Sequence, residues 1–358
     1  MQQSSPDKIR NVALLSHSGS GKTSLAEAML FDAGAVTRMG NVADGTTTSD
    51  SDPDEIKHQI SINLAILPVS WKNNKINIID TPGYPDFVGE VRSALRVCEG
   101  AVILVCAASG VEVGTEQVWN YTSQNNTPRL IFMDKMDREN ANFASTLDQI
   151  QSKLSARCLP IQIPIGSQKS FKGVIDIITK KAFAGSPVKE IEVPADMAAD
   201  IDGAREKLIE AVVEIDDEIM TRYLDGGETT TEEIYKCLAE STRQGKVIPV
   251  LAGSGLTNNG AVGLLDAIVD YLPSPVAAGP VKAANASGAA EPVKPAADSP
   301  LTALVFKTTT DPHVGKISFF RVYSGVLSSN SQVWNVNKGA IERIGQVSMP
   351  KGKGQESV

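Results

Sequence analysis

The sequence predicts an α/β fold: a doubly wound, mostly parallel sheet with an inserted α+β lobe, followed by a partial β-barrel. Three observations predict it. Short apolar runs alternate with helical patterns over the first 135 residues. That alternation breaks after about residue 157 and resumes at residue 246. Beyond a Pro/Ala-rich stretch, strand-like segments with turn signals follow one another.

The elements follow in order. "IRNVALLS" (9–16) is an apolar run ending at a glycine-rich turn, and "TSLAEAMLFDAG" (23–34) has helical spacing with a stop at Gly34. "ISINLAILPVSW" (60–71) reads as a long strand, turned at Asn73-Asn74 into a second strand, "KINIID" (75–80). "GAVILVCAA" (100–108) and "PRLIFMDK" (128–135) are continuous apolar runs, as in strands buried on both faces. A ligand of such a sheet is expected beyond the carboxyl ends of its strands.

Residues 159–185 then read as short strands and 203–244 as charged amphipathic helices. "KVIPVLAGSG" (246–255) and "GLLDAIVDYL" (263–272) restore the strand–helix order, so the intervening lobe, about 158–245, is expected as an insertion. The expected organisation is 1–275 for the α/β domain, 276–299 as a linker and 300–358 as a partial barrel. A half barrel leaves unpaired strand edges, so the chain is expected to be a fragment of a longer protein.

At 358 residues and 42% apolar, the chain is long enough for two domains with ordinary cores, and disorder is not the default. A formal charge of −8 argues against coating nucleic acid by bulk charge. Cys98, Cys106, Cys158 and Cys237 lack metal-like spacing and fit a reduced compartment. No apolar signal core or membrane-length run is present, so a cytoplasmic location is expected. Trp71, Trp119 and Trp334 read as packing residues, His313 as part of a barrel turn, and the acidic helices near 205–240 as a solvated face.

The chemistry sits at strand ends. "SHSGSGKTS" (16–24) lies between a strand and a helix, as a phosphate-binding loop requires. Its glycines let backbone N–H groups of His17, Ser18, Gly19, Ser20, Gly21 and Ser24 converge on phosphates at a helix N-terminus. Lys22 is expected to reach the β and γ phosphates, and the Thr23 hydroxyl to bind Mg²⁺. Ser16 stands where the motif has its first glycine, and the His17 side chain is expected to pack structurally.

"DTPGY" (80–84) follows a buried strand, as a γ-phosphate sensor should. Asp80 is expected to hold Mg²⁺ through water and the Gly83 N–H to touch the γ phosphate. "DKMD" (134–137) supplies a base-reading step. The Asp137 carboxylate can accept from guanine N1–H and N2–H₂, a donor pair adenine lacks, while the Lys135 stem packs over the base. "GSGL" (253–256) can add backbone N–H contacts from Ser254, Gly255 and Leu256 to guanine O6.

Four such motifs in order resemble the translational GTPases, and most closely the elongation factor G family. The resemblance covers nearly the whole chain and implies a P-loop GTPase domain. "IQIPIGSQKSFKGVIDII" resembles the start of that family's inserted lobe, and "FKTTTDPHVGKISFFRVYSGVL" the opening of its second domain. Tyr84, with "DFVGE" and "GVEVGTE", is more similar to elongation-factor-G-like paralogues. The resemblance implies GTP/GDP and Mg²⁺ as cofactors and the ribosome as partner, with no membrane or DNA partner and a monomeric state.

Departures from the family pattern carry their own expectations. Gly19 replaces a common acidic residue, which puts a monovalent-cation site there in doubt. In the first switch, Ser61 takes the place of the threonine that closes on Mg²⁺ and keeps its oxygen, while His58 and Gln59 replace Arg-Gly. Asp134 replaces the usual asparagine; a carboxylate facing guanine N7 is repelled, so it is expected to turn away or find a donor. Tyr84 replaces the histidine that orients the attacking water, leaving Tyr84, Lys22 and Gly83 as the catalytic candidates.

Three readings stand. One is a slow GTP hydrolase stimulated by the ribosome in translocation or recycling. A second is a GTP-dependent ribosome-binding switch with negligible hydrolysis. The third is an unrelated phosphate-loop protein such as an ATP-using kinase, against which Asp137 and the inserted lobe argue.

Overall fold

The computed structural model describes residues 4–284, 289–311, 315–351 and 354–357. His313 lies outside them. The central sheet has seven strands: β1 (Ile9–Ser16), β2 (Ala65–Trp71), β3 (Asn74–Asp80), β4 (Gly100–Cys106), β5 (Arg129–Asp134), β6 (Cys158–Pro160) and β11 (Ile248–Ala252). Their order across the sheet is β2-β3-β1-β4-β5-β11-β6. Only β2 runs antiparallel to its neighbour; the other pairings are parallel.

Both faces of this sheet are buried because alternate residues of each strand feed separate cores. Val12, Leu14, Val102, Leu104, Leu130 and Phe132 enter one. Ala13, Leu15, Ile103, Val105, Ile131 and Met133 enter the other. That is why these strands read as unbroken apolar runs. Helices α1 (Lys22–Asp32), α2 (Pro53–His58), α3 (Val88–Arg96), α4 (Val113–Gln124), α5 (Phe143–Lys153) and α9 (Ala261–Tyr271) accompany the strands.

The expected long strand at 60–71 begins only at Ala65. The amides of Ile62 and Asn63 donate to Glu55 Oε1, and that of Leu64 to Glu90 Oε2, so they are unavailable to a ladder. The turn is centred one residue earlier than expected, on Lys72 and Asn73. Both have positive φ, the conformation of a two-residue hairpin turn.

The lobe inserted between β6 and β11 has its own antiparallel sheet, β7 (Gln162–Ile165), β8 (Gly173–Asp176), β9 (Lys181–Ala184) and β10 (Lys189–Ile191). Helices α6 (Ala198–Val213), α7 (Asp217–Leu224) and α8 (Thr231–Arg243) follow it. β6, expected in the lobe, instead pairs with β11 at the edge of the central sheet.

The segment read as a linker carries a short helix, α10 (Pro275–Ala278), and a hairpin of β12 (Val281–Ala284) with β13 (Ala290–Val293). Beyond it lie β14 (Thr302–Asp311) with β15 (Gly315–Ser324), β16 (Gln332–Asn335) with β17 (Ala340–Arg343), and β18 (Ser348–Lys351) with β19 (Gly354–Ser357). Among the described residues these antiparallel pairs do not close into a barrel. No helix is long and apolar enough to cross a membrane among the residues described.

Candidate nucleotide site

The loop between β1 and α1, the turn after β3, and the loops after β5 and β11 meet beyond the carboxyl ends of the strands. Gly19 and Gly21 have φ of 74° and 109°, which suits residues without a Cβ. A Cβ at Gly21 would also lie 2.0 Å from Asp134 Oδ2, so that carboxylate would have to shift to admit one. Lys22 is buried and its Nζ donates to Ser16 Oγ across 2.7 Å. Ser16 in turn donates to the His17 carbonyl at 2.6 Å, so the hydroxyl that replaces the motif's first glycine anchors both the loop and its lysine. Burial pushes Lys22 down to about 8 against the opposing pull of Asp80.

Thr23, Ser61 and Asp80, the three expected metal-site residues, come together. Thr23 Oγ1 donates to Asp80 Oδ2 at 3.0 Å and lies 3.2 Å from Ser61 Oγ. Asp80 is buried and its Oδ1 has no hydrogen-bond partner. Burial first, and the Asp50 charge second, raise its carboxyl to about 7. Oxygen donors with an unsatisfied buried carboxylate oxygen fit a hard divalent cation such as Mg²⁺.

The Gly83 turn packs directly on the phosphate loop. A Cβ at Gly83 would lie 2.7 Å from both Lys22 Nζ and Ser18 Cα, so only glycine permits this approach. Tyr84 is 41% exposed and makes no side-chain hydrogen bond among the described residues. His17 packs against Gly114, and its Nε2 stands 3.5 Å from Glu112 Oε1.

On the base-reading side, Asp134 is buried and accepts from the Gly255 amide at 2.8 Å. Lys135 Nζ donates to the Gly19 carbonyl, tying this step to the phosphate loop. Asp137 Oδ1 is buried without a partner. Ser254 is buried and pairs with Asn259, Gly255 packs on the backbone of Ser24 and Leu25, and Leu256 is exposed.

Sequence reasoning missed the carboxylates that pin the first switch. Buried Glu27 accepts from Gly40 and Thr48 amides, Glu55 from Asp52, Ile62 and Asn63, and Glu90 from Leu64. Buried Asp50 joins Ser61 beside Asp80. An acid inside the apolar run "SLAEAMLF" is the one local signal that could have found Glu27. Gln59, where a glycine was expected, caps α2 at φ 54°, the left-handed region that favours glycine.

This fold and site define a GTP-binding domain of the translation-factor class. The family model for the elongation factor Tu GTP binding domain matches residues 7–274, and that for elongation factor G domain 2 matches residues 300–358. The chain belongs to the translational GTPases, in the elongation factor G family. It is 43% identical to elongation factor G of Thermotoga petrophila over 347 residues, covering 95% of this chain and 50% of that protein. Against elongation factor G of Thermotoga maritima the identity is 42% with the same coverage. A crystal structure from Thermus thermophilus superposes with a TM-score of 0.87 at 33% identity, over 98% of this chain and 50% of that one. The chain spans about half the length of the curated relatives it matches.

Proposed function

We propose that this chain binds GTP with Mg²⁺ and hydrolyses it slowly, faster on the ribosome, as the nucleotide-handling part of a cytoplasmic, monomeric elongation-factor-G-like protein. The observation that carries this reading is the meeting of Thr23, Ser61 and Asp80 around an unsatisfied carboxylate oxygen beside Lys22. Thr23 and Ser61 would hold the metal through their hydroxyls and Asp80 through water. The metal supplies charge neutralisation at the phosphate oxygens.

The backbone N–H groups of residues 17–24 cradle the phosphates, with Lys22 at the β and γ positions. Gly83 offers its N–H to the γ phosphate from the turn that already touches Ser18. Asp137 reads guanine, its buried Oδ1 lacking a hydrogen-bond partner within the chain; Ser254, Gly255 and Leu256 contribute backbone amides, and Lys135 its stem. Tyr84 positions the attacking water through its hydroxyl. Positioning suffices because a loose transition state asks little of a base.

The exposed Tyr84 ring, held by no side-chain hydrogen bond among the described residues, favours a second reading. In that reading the chain is a GTP-dependent ribosome-binding switch with negligible hydrolysis. Multiple-turnover GTP hydrolysis with and without ribosomes, for the full-length factor and Tyr84→Phe, separates the two. Ribosome-stimulated turnover that falls in Tyr84→Phe with GTP binding intact supports the water-positioning role. Turnover unchanged in the variant removes that role, and no turnover in the wild type leaves the switch.

A further inference from the structure

A cavity of about 180 Å³ lies between the central sheet domain and the inserted lobe, with Asn259 and Gly260 at the end of the loop after β11 in its lining. β7, β8 and β9 wall one side, α8 and α9 the other, and the β2–β3 turn reaches it through Lys72. Its apolar wall includes Val174, Phe183 and Val262. The rings of Tyr235 and Tyr271 lie there nearly parallel, with centroids 6.1 Å apart.

The polar groups are unequal. Asp176, Asp266 and Asp270 line the cavity with one cation, Lys72, and Arg10 acts on Asp270 from outside the lining, which leaves an excess of one negative charge (three minus two). Asp266 is spoken for by Lys72 Nζ and Trp71 Nε1, each at 2.7 Å. Asp176 Oδ1 takes the amides of Ile178 and Thr179 and the Thr179 hydroxyl. Asp270 has no hydrogen bond or ion pair among the described residues.

Gln162 gives an independent observation. It lines the cavity at 5% exposure, and its Oε1 is buried with no partner. Gly263 makes room for that amide, since a Cβ there would fall 2.3 Å from Gln162 Nε2. Buried amides without partners are costly and mark places where a donor is missing.

We propose that this cavity is a binding site for a small organic ammonium with an aromatic or short aliphatic body. Tyrosine rings and an excess of carboxylate charge in the lining select a cation. The apolar wall accepts a hydrocarbon body, and Gln162 Oε1 accepts an N–H. The volume is below the 300–1,000 Å³ usual for drug-sized ligands, which limits the occupant to roughly ten non-hydrogen atoms and to weak, millimolar affinity.

The probe is phenethylammonium, titrated into the GDP-loaded chain and followed by protein-observed NMR, with neutral phenethyl alcohol as the shape control. Saturable shifts of lobe and α9 resonances are expected with the amine. The alcohol should bind roughly tenfold more weakly. Asp270→Asn should weaken the amine by a similar factor while leaving GDP affinity unchanged, which shows that the fold is intact. The proposal is overturned by no saturable shift with the amine, by equal binding of amine and alcohol, or by full amine affinity in Asp270→Asn.

Discussion

The Asp134 carboxylate accepts a hydrogen bond from the Gly255 amide across 2.8 Å, joining the base-reading step to the loop after β11. An asparagine Oδ1 can keep this bond while its amide adds a donor that a carboxylate lacks. Asp134→Asn is therefore expected to tighten GDP binding, by about 1 kcal/mol for one added neutral hydrogen bond. Calorimetric titration with GDP checks it; weaker binding in the variant would mean that the ionised carboxylate is itself needed by the loops.

The same residue makes stability depend on pH. Burial raises the Asp134 carboxyl to about 7, above an unfolded value near ~3.9. Between those values the folded chain keeps a proton that the unfolded chain has lost. The protonated acid's contribution is complete below the unfolded value and declines as pH rises to about 7. Asp80, also raised to about 7, acts in the same direction. Urea midpoints of the nucleotide-free chain should thus fall over this window and fall less in Asp134→Asn. An identical slope in both proteins would contradict the assignment.

Lys22 and Thr23 should divide phosphate and metal work. Lys22→Ala is expected to abolish tight nucleotide binding. Thr23→Ala should mainly remove the part of GDP affinity that depends on Mg²⁺, measured with and without chelator. Full affinity in Lys22→Ala, or an undiminished Mg²⁺ effect in Thr23→Ala, would oppose these roles.

Lys307 on β14 reaches the end of the first switch. Its Nζ bonds Glu90 Oε2 at 2.7 Å, Asn63 Oδ1 at 3.2 Å and the Leu64 carbonyl at 3.3 Å. Lys307→Met should destabilise the chain by about 1–2 kcal/mol and speed proteolysis between residues 35 and 64. Unchanged unfolding and cleavage would show that the switch needs no support from β14.

The central strands were legible because burial on both faces writes itself as unbroken apolar runs, as in "GAVILVCAA". The phosphate loop, "DTPGY" and "DKMD" were legible because each is contiguous and stands at a strand end. Contacts distant in sequence were not. Nothing near Leu64 announces that its amide turns to Glu90, so the strand before β3 read too long. The hairpin of β12 and β13 was hidden because a Pro/Ala-rich composition does not show that its backbone pairs. Gln59 became intelligible only from its φ of 54°.

Guanine recognition through Asp137 is checked by equilibrium competition among GDP, XDP and ADP on the wild type and Asp137→Asn. The wild type should strongly prefer GDP. Asp137→Asn should lose about 2–4 kcal/mol of GDP affinity, the worth of a bidentate charge-assisted pair, with ADP affinity unchanged and XDP improved. A wild type that binds ADP as tightly as GDP, or a variant with the same GDP-to-ADP ratio as the wild type, would contradict it.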